Sequence, residues 1–301
     1  MDTESLETER PAAATVDLDL LGAPALVDRL CAAYDVVGHA VRGALPALAA
    51  VLEEVRPRWQ RGGRLLLAGA GTSGRMAAVQ AAECPPTFGL EEGRVVPLVA
   101  GGLGALARAV EGAEDDAGAG EAAALAAGAG PLDTLVAISA SGTAPFVRAA
   151  LAAARAKGAL GVAITANPGS PLAAEADHAL ELRTGPEPVA GSTRMLAGSA
   201  QKMALDLLTT ALMVQVGHVY GNRMVDFVPS NTKLRRRAVE MVTALAGVDA
   251  AAARDVLARA DWRVKPAVVM AVRACDLAAA RALLRAAGGS LRRALEGDPD
   301  R

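Results

Sequence analysis

Apolar residues fall into two textures along this chain. Over residues 23–54, "APALVDRLCAAYDVVGHAVRGALPALAAVLEE", they recur at helical spacing, as two predicted helices divided near Pro46. From residue 63 the texture changes to short unbroken apolar runs that end in glycine or hydroxyl residues. "GRLLLAGAG" (63–71), "RVVPLVAGG" (94–102), "DTLVAISASG" (133–142), "ALGVAITANPG" (159–169) and "HALELRTG" (178–185) read as buried strands with their turns. Amphipathic stretches lie between them: "TSGRMAAVQAAE" (72–83), "LGALARAVEGAEDD" (103–116) and "PFVRAALAAARAKG" (145–158), the last with Pro145 suited to a first turn. Strands that alternate with helices in this way predict an α/β fold, a parallel sheet covered by helices in three layers. A long helix over about 197–217, capped by "GSTRM", follows, and beyond about 233 the pattern is helical with no strand signal. The expected organisation is an arm with helices over 1–50, the α/β domain over 51–235 and a small helical module over 236–301.

With 301 residues, 52% of them hydrophobic, the chain can bury such a core. The net charge of −2 gives no electrostatic reason to expect nucleic acid or membrane as a partner, and "KLRRR" (233–237) reads as a solvated helix face. Cys31, Cys84 and Cys275 are too scattered for a disulfide framework or a zinc pattern, and His39, His178 and His218 lack ligand spacing. The start, "MDTESLETERP", lacks the basic-then-apolar layout of a signal peptide, and "MALDLLTTALMVQVG" from Met203 is too short and too polar to span a bilayer. The expected location is the cytoplasm.

"GAGTSG" (69–74) fits G-x-G-x-x-G between a strand and a helix. A dinucleotide site would place an acidic residue at the end of the second strand, yet that strand ends "PLVAGG" and Glu91 and Glu92 precede it. No Walker lysine is present either. Thr72 and Ser73 instead offer hydroxyl donors beside the N–H groups of a helix start, a setting for a phosphate monoester. Ser139, Ser141 and Thr143 repeat that chemistry at the carboxyl end of the third strand, and Ser192 and Thr193 do so before the long helix. Any one of these loops can be mere capping; three together point to a phosphorylated small molecule, with a sulfated one as the alternative.

Two acidic positions stand out. Pro85 predicts that the first helix ends at Glu83, which places this carboxylate at the negative end of the helix dipole and, with partial burial, favours its protonated form. That is the state a general acid needs. Ser73 and Glu83 would stand ~15 Å apart along the helix axis, too far to share one hexose phosphate. The predicted site therefore lies at a homodimer interface, with Glu83 of one chain facing the phosphate loops of the other. In "VEGAEDD" (110–116), Glu111 and Glu114 fall one helical turn apart on a shared face, while Asp115 and Asp116 face solvent.

The motifs "GAGTSGR", "ECPPTFG", "AVEGAEDD", "ANPGS", "GSTRM" and "VYGN" occur in an order that resembles the N-acetylmuramic acid 6-phosphate etherase family over about residues 60–235. "ECPPTFG" and "VEGAED" are its specific elements. The resemblance implies a single sugar isomerase (SIS) domain and a small, UBA-like C-terminal module. It also implies a lyase that splits the D-lactyl ether of the sugar phosphate by elimination and hydration, with no metal or cofactor. Glu83 and Glu114 take the carboxylate positions of its active site: Glu83 as acid to the departing lactate and Glu114 as base at C2, with the roles exchangeable. Lys265, in "WRVKPAVV", corresponds to a lysine that reaches the sugar phosphate, and a snorkelling surface lysine is the alternative. The N-terminal motif is shortened to "TERPAAATVD", and the third-strand loop reads "ASGTAPF", without the family's arginine. That loop is closer to the glucokinase regulatory proteins, so a non-catalytic sugar-phosphate-binding regulator is the competing reading. A sugar-phosphate isomerase has no evident use for "ECPPTFG", and a SIS-type transcription factor would carry a basic N-terminal helical domain that residues 1–50 lack.

Overall fold

A computed structural model describes residues 6–296; residues 1–5 of the expected arm and 297–301 of the expected C-terminal module lie outside the described residues. After three short 3-10 turns, three helices precede the sheet: α1 (Ala23–Ala33), α2 (Asp35–Gly43) and α3 (Leu45–Gln60). The breaks fall at Tyr34 and Ala44; the division expected near Pro46 is the second, with Pro46 in the first turn of α3, and the break at Tyr34 makes three helices where two were expected. Proline fits there because the first turn has no carbonyl waiting for its missing N–H.

The sheet then forms from β1 (Leu65–Gly69), β2 (Val95–Val99), β3 (Thr134–Ile138), β4 (Leu160–Thr165) and β5 (His178–Glu181), with α4 (Gly71–Phe88), α5 (Ala117–Ala126), α6 (Pro145–Ala156) and α7 (Pro171–Glu175) between them. All pairings are parallel, in the order β2-β1-β3-β4-β5. Strands β1, β3 and β4 are buried at every position, as expected of strands covered on both faces. Because β1 lies between β2 and β3, the connections leave β1 and β3 in opposite directions. The carboxyl ends of those two strands flank the crevice where ligands of open α/β sheets bind.

Helix α8 (Leu196–Gln215) follows, then a two-stranded antiparallel hairpin of β6 (Val219–Tyr220) and β7 (Arg223–Met224). The chain ends in α9 (Thr232–Ala246), α10 (Ala250–Arg259), α11 (Val264–Arg273), α12 (Leu277–Ala286) and α13 (Leu291–Glu296). Asn231, Asp249 and Asp276 cap α9, α10 and α12 by accepting backbone N–H groups, and Gly247 closes α9 in the left-handed region.

The chain forms two compact units. One holds residues up to Ala81 together with Gly93–Leu208; the other holds Ala82–Glu92 and the residues from Thr209 onward. The first has a core of sheet and helix residues that includes Leu66, Leu135, Phe146, Leu151 and Ala163. The second is built around Val225, Phe227, Val242, Leu257, Val268 and Leu284. No single described helix is long and apolar enough to cross a membrane.

Two sequence expectations are corrected. The predicted helix over 103–116 is instead two 3-10 turns, Leu103–Leu106 and Ala113–Asp115, joined by a loop. Gly112, at φ 72°, turns the backbone into the left-handed region just before the second of them, so no helix runs through. Helix α4 does not stop at Glu83 but continues through Pro85 and Pro86 to Phe88. The bias of a residue before proline is thus overridden here. Glu83 is exposed and has five helical residues beyond it, so neither the helix-dipole argument nor the burial argument made for it from the sequence applies.

Candidate active site

The glycine loop between β1 and α4 is set by close packing. A Cβ on Gly74 would stand 2.7 Å from the Gly69 carbonyl oxygen, and one on Gly69 would stand 2.6 Å from the Gly74 nitrogen. Those glycines let the helix start press against the strand end, which accounts for the motif without a nucleotide. Thr72 is half-buried, with its methyl 3.0 Å from where a Gly198 Cβ would sit. Ser73 is buried and donates its hydroxyl to Gln201 Oε1 at 2.8 Å. That bond fastens the loop to α8, and Gln201 Nε2 stays buried without a hydrogen-bond partner among the described residues.

After β3, three hydroxyls gather. Ser139 Oγ accepts from the Gly142 N–H at 3.1 Å and lies 3.3 Å from Ser141 Oγ. Ser141 Oγ accepts from both the backbone N–H and the hydroxyl of Thr143, at 3.2 and 2.9 Å. Gly142 is at φ 69°, and a Cβ there would stand 2.2 Å from Ser170 Oγ, so this turn requires glycine. Ser192 and Thr193 are half-buried before α8, and the Thr193 carbonyl accepts the Gly198 N–H at 2.9 Å. Glu187, fully buried, accepts the Leu196 and Ala197 N–H groups at 2.8 and 2.9 Å. Burial pushes the Glu187 carboxyl above its usual range, against the pull of those two backbone bonds. A carboxylate already occupies the positive end of α8, so that helix end offers its first N–H groups to no other anion.

The residues 6–10 join this edge of the sheet. Thr8 has no exposed surface; its hydroxyl accepts from Asn167 Nδ2 at 3.0 Å, and its carbonyl accepts from the Gly191 N–H at 3.0 Å. Asn167 Nδ2 also donates to the Ala140 carbonyl at 2.9 Å. Thr8 thereby ties together the loops after β3 and β4 and the segment before α8. The sequence offered no periodic signal for this, because the contacts link residues 159 positions apart.

Glu111 and Glu114 do not share a helix face, since no helix forms there, yet the fold still brings them together. Both are exposed and line a pocket of about 180 Å³ with Ala70 and Gly71 of the glycine loop, Arg75 and Val110. Asp116 is exposed as expected, and also caps α5 by accepting the Ala119 N–H at 2.8 Å. In the second unit, Lys265 is buried rather than snorkelling. Its ammonium pairs with Asp226 and donates to the Gly289 carbonyl at 2.8 Å. His218 Nδ1 stands 2.7 Å from the same Asp226 carboxylate, near in distance but not aligned as a hydrogen bond. No group of three or more metal-ligating side chains occurs among the described residues.

A parallel sheet with hydroxyl-rich loops at the carboxyl ends of its strands defines the class. Family models described as the glucokinase regulatory protein N-terminal SIS domain and as the SIS domain match residues 47–155 and 117–211. Among solved structures, a phosphoheptose isomerase from Francisella tularensis aligns at TM-score 0.45 and 18% identity, over 63% of this chain and 98% of that one. The Vibrio vulnificus NanR protein complexed with ManNAc-6P aligns at TM-score 0.45 and 17% identity, over 76% of this chain and 74% of that one. Among curated relatives, the N-acetylmuramic acid 6-phosphate etherases of Salmonella typhi and Salmonella typhimurium are each 45% identical over 290 residues, 96% of this chain and 97% of theirs. The chain belongs to the N-acetylmuramic acid 6-phosphate etherase family.

Proposed function

We propose that the protein is a carbon–oxygen lyase that converts N-acetylmuramic acid 6-phosphate and water into N-acetylglucosamine 6-phosphate and D-lactate. The observation that carries this reading is its near-full-length identity to curated etherases, at 45%. The identity extends well beyond the SIS domain that regulators and isomerases share. The hydroxyls of Ser139, Ser141 and Thr143, with those of Thr72 and Ser192, grip the phosphoryl group, and Glu111 serves as a further substrate contact.

In the open-chain sugar the C2 proton is acidified by the C1 aldehyde. Glu114 removes it, and the electron pair moves in to expel the C3 ether oxygen. That oxygen is a poor leaving group, so Glu83 supplies the proton that lets it depart as the hydroxyl of D-lactate. The resulting unsaturated aldehyde takes up water at C3. Glu83, now a carboxylate, accepts the water proton, and Glu114 returns its own to C2. The C3–O bond to lactate is broken, a C3–O bond to water replaces it, and both acids end as they began.

Ser73 and Glu83 lie ten residues apart on one helix, ~15 Å along its axis, so the working form in this reading is a homodimer in which Glu83 of one protomer serves its partner's loops. A cytoplasmic enzyme of amino-sugar catabolism, acting on recycled peptidoglycan, is the matching cellular setting. Incubation with N-acetylmuramic acid 6-phosphate should release D-lactate, with solvent deuterium entering at C2. Glu83→Gln and Glu114→Gln should each lower turnover by at least about 100-fold. Mixed dimers of Glu83→Gln with a Ser141→Ala chain should recover part of the activity. A wild-type protein that binds the sugar acid without releasing lactate would instead be a regulator.

A further inference from the structure

The pocket that holds Glu111 and Glu114 contains one feature that proton transfer does not use. Of its lining residues, Arg75 is the sole cation. The Arg75 Nε donates to the Leu106 carbonyl at 3.3 Å, which orients the guanidinium. No carboxylate of the described residues lies within ion-pair distance of it, Glu111 and Glu114 included. The wall beside it is apolar: Ala105, Ala109 and Val110, the last 48% exposed. A half-exposed guanidinium, a small methyl-lined wall and two carboxylates share about 180 Å³.

A phosphoryl dianion is poorly matched to this pocket, because two carboxylates outnumber the one cation, and uncharged donors for it stand after β3. A singly charged carboxylate that carries a methyl group is well matched. The planar fork of an arginine binds a carboxylate through two parallel N–H bonds, and the methyl group would rest on Ala105, Ala109 or Val110. We propose that Arg75 is the specificity-determining residue that recognises the carboxylate of the substrate's lactyl arm. This rests on the lyase reading above. Holding that arm fixes the ether bond relative to Glu114 and supplies binding that a sugar phosphate without the arm cannot obtain.

The test compares Arg75→Met with wild type on three probes. For N-acetylmuramic acid 6-phosphate, kcat/KM from D-lactate release should fall roughly 30-fold or more. For its lactyl methyl ester, which has no carboxylate, the two proteins should differ by less than about threefold, so the variant loses wild-type discrimination between acid and ester. N-acetylglucosamine 6-phosphate, which lacks the lactyl arm, should bind both equally by calorimetry. Arg75→Lys, which keeps the charge but not the fork, should fall between them and gives the same reading if Arg75→Met does not fold. Equal weakening for N-acetylglucosamine 6-phosphate would assign Arg75 to the phosphate and overturn the inference, as would an unchanged kcat/KM for the acid. If wild type releases no lactate, the reaction itself is wrong. The intact sugar acid can then be titrated against N-acetylglucosamine 6-phosphate, and a preference that Arg75→Met abolishes would still support the carboxylate contact.

Discussion

Asp133 closes the amino end of β3, opposite to the edge that carries Ser139, and provides a test of the fold separate from catalysis. Its carboxylate accepts from the Arg64 backbone N–H at 2.9 Å, from Arg64 Nε and Nη2 at 3.1 and 2.7 Å, and from the Gly130 N–H at 3.0 Å. Its side chain is 7% exposed and that of Arg64 29%. Burial pushes the Asp133 carboxyl upward, but the hydrogen bonds and charge of Arg64 outweigh it and hold the carboxyl below its usual range. Asp133→Asn keeps the volume and turns an amide toward donors. Removing one partner of a buried pair costs about 3–5 kcal/mol. Arg64 keeps the Ala127 and Gly128 carbonyls and some water, so the low end applies, about 3 kcal/mol and roughly 6–10 °C in melting temperature. Because the folded carboxyl titrates below its unfolded value, this stability is present above about pH 4 and is lost as pH falls through the folded value. Urea unfolding followed by circular dichroism should show a constant gap between wild type and Asp133→Asn from pH 8 to about 5, narrowing at lower pH, with turnover per folded molecule unchanged. A gap under about 1 kcal/mol at pH 7, or one that does not narrow in acid, refutes the reasoning.

Three further outcomes are expected. The raised carboxyl of Glu187 reverses the sign: its contribution is complete below the unfolded value and is lost as pH rises through the folded value. Urea midpoints should therefore show wild type losing ground to Glu187→Gln as pH rises. Gly120→Ala would place a Cβ 2.0 Å from the Phe146 carbonyl oxygen where α5 crosses α6, and should cost about 3 kcal/mol by the same denaturation measurement. Thr8→Val removes the acceptor for Asn167 Nδ2 and should raise KM about tenfold with kcat little changed, whereas Thr8→Ser should behave as wild type in lactate-release kinetics.

The sheet was legible because buried parallel strands are short apolar runs that few other structures produce, and β1, β3 and β4 match them nearly residue for residue. The helix expected over 103–116 failed for a local reason. Its apolar spacing is helical, but Gly112 takes a left-handed conformation there, which its place in an alanine-rich run does not announce. The hydroxyl-rich loops after β1 and β3 were legible one at a time, since each sits at a strand end. What joins them was not. Glu187 reaches α8 from nine residues upstream, Gln201 meets Ser73 across 128 residues and Thr8 meets Asn167 across 159; none of these follows a period.

Those long-range bonds bear on how hydroxyl-bearing loops would hold a phosphoryl group in the proposed reaction. Hydroxyl donors are weaker than cations, so they bind well only when fixed in place before the ligand arrives. Ser141 is held by Thr143, and Gly142 is wedged against Ser170. Ala140, between Ser139 and Ser141, is anchored through Asn167 to Thr8. Ser73 is pinned to α8 by Gln201, and the start of α8 is pinned in turn by Glu187. Each donor loop is therefore fastened by a buried side chain from a different part of the chain. On this argument the arginine missing from "ASGTAPF" need not be replaced by another cation, provided that the fastenings are intact. Loosening any one of them should weaken phosphate binding more than it slows the chemistry that follows.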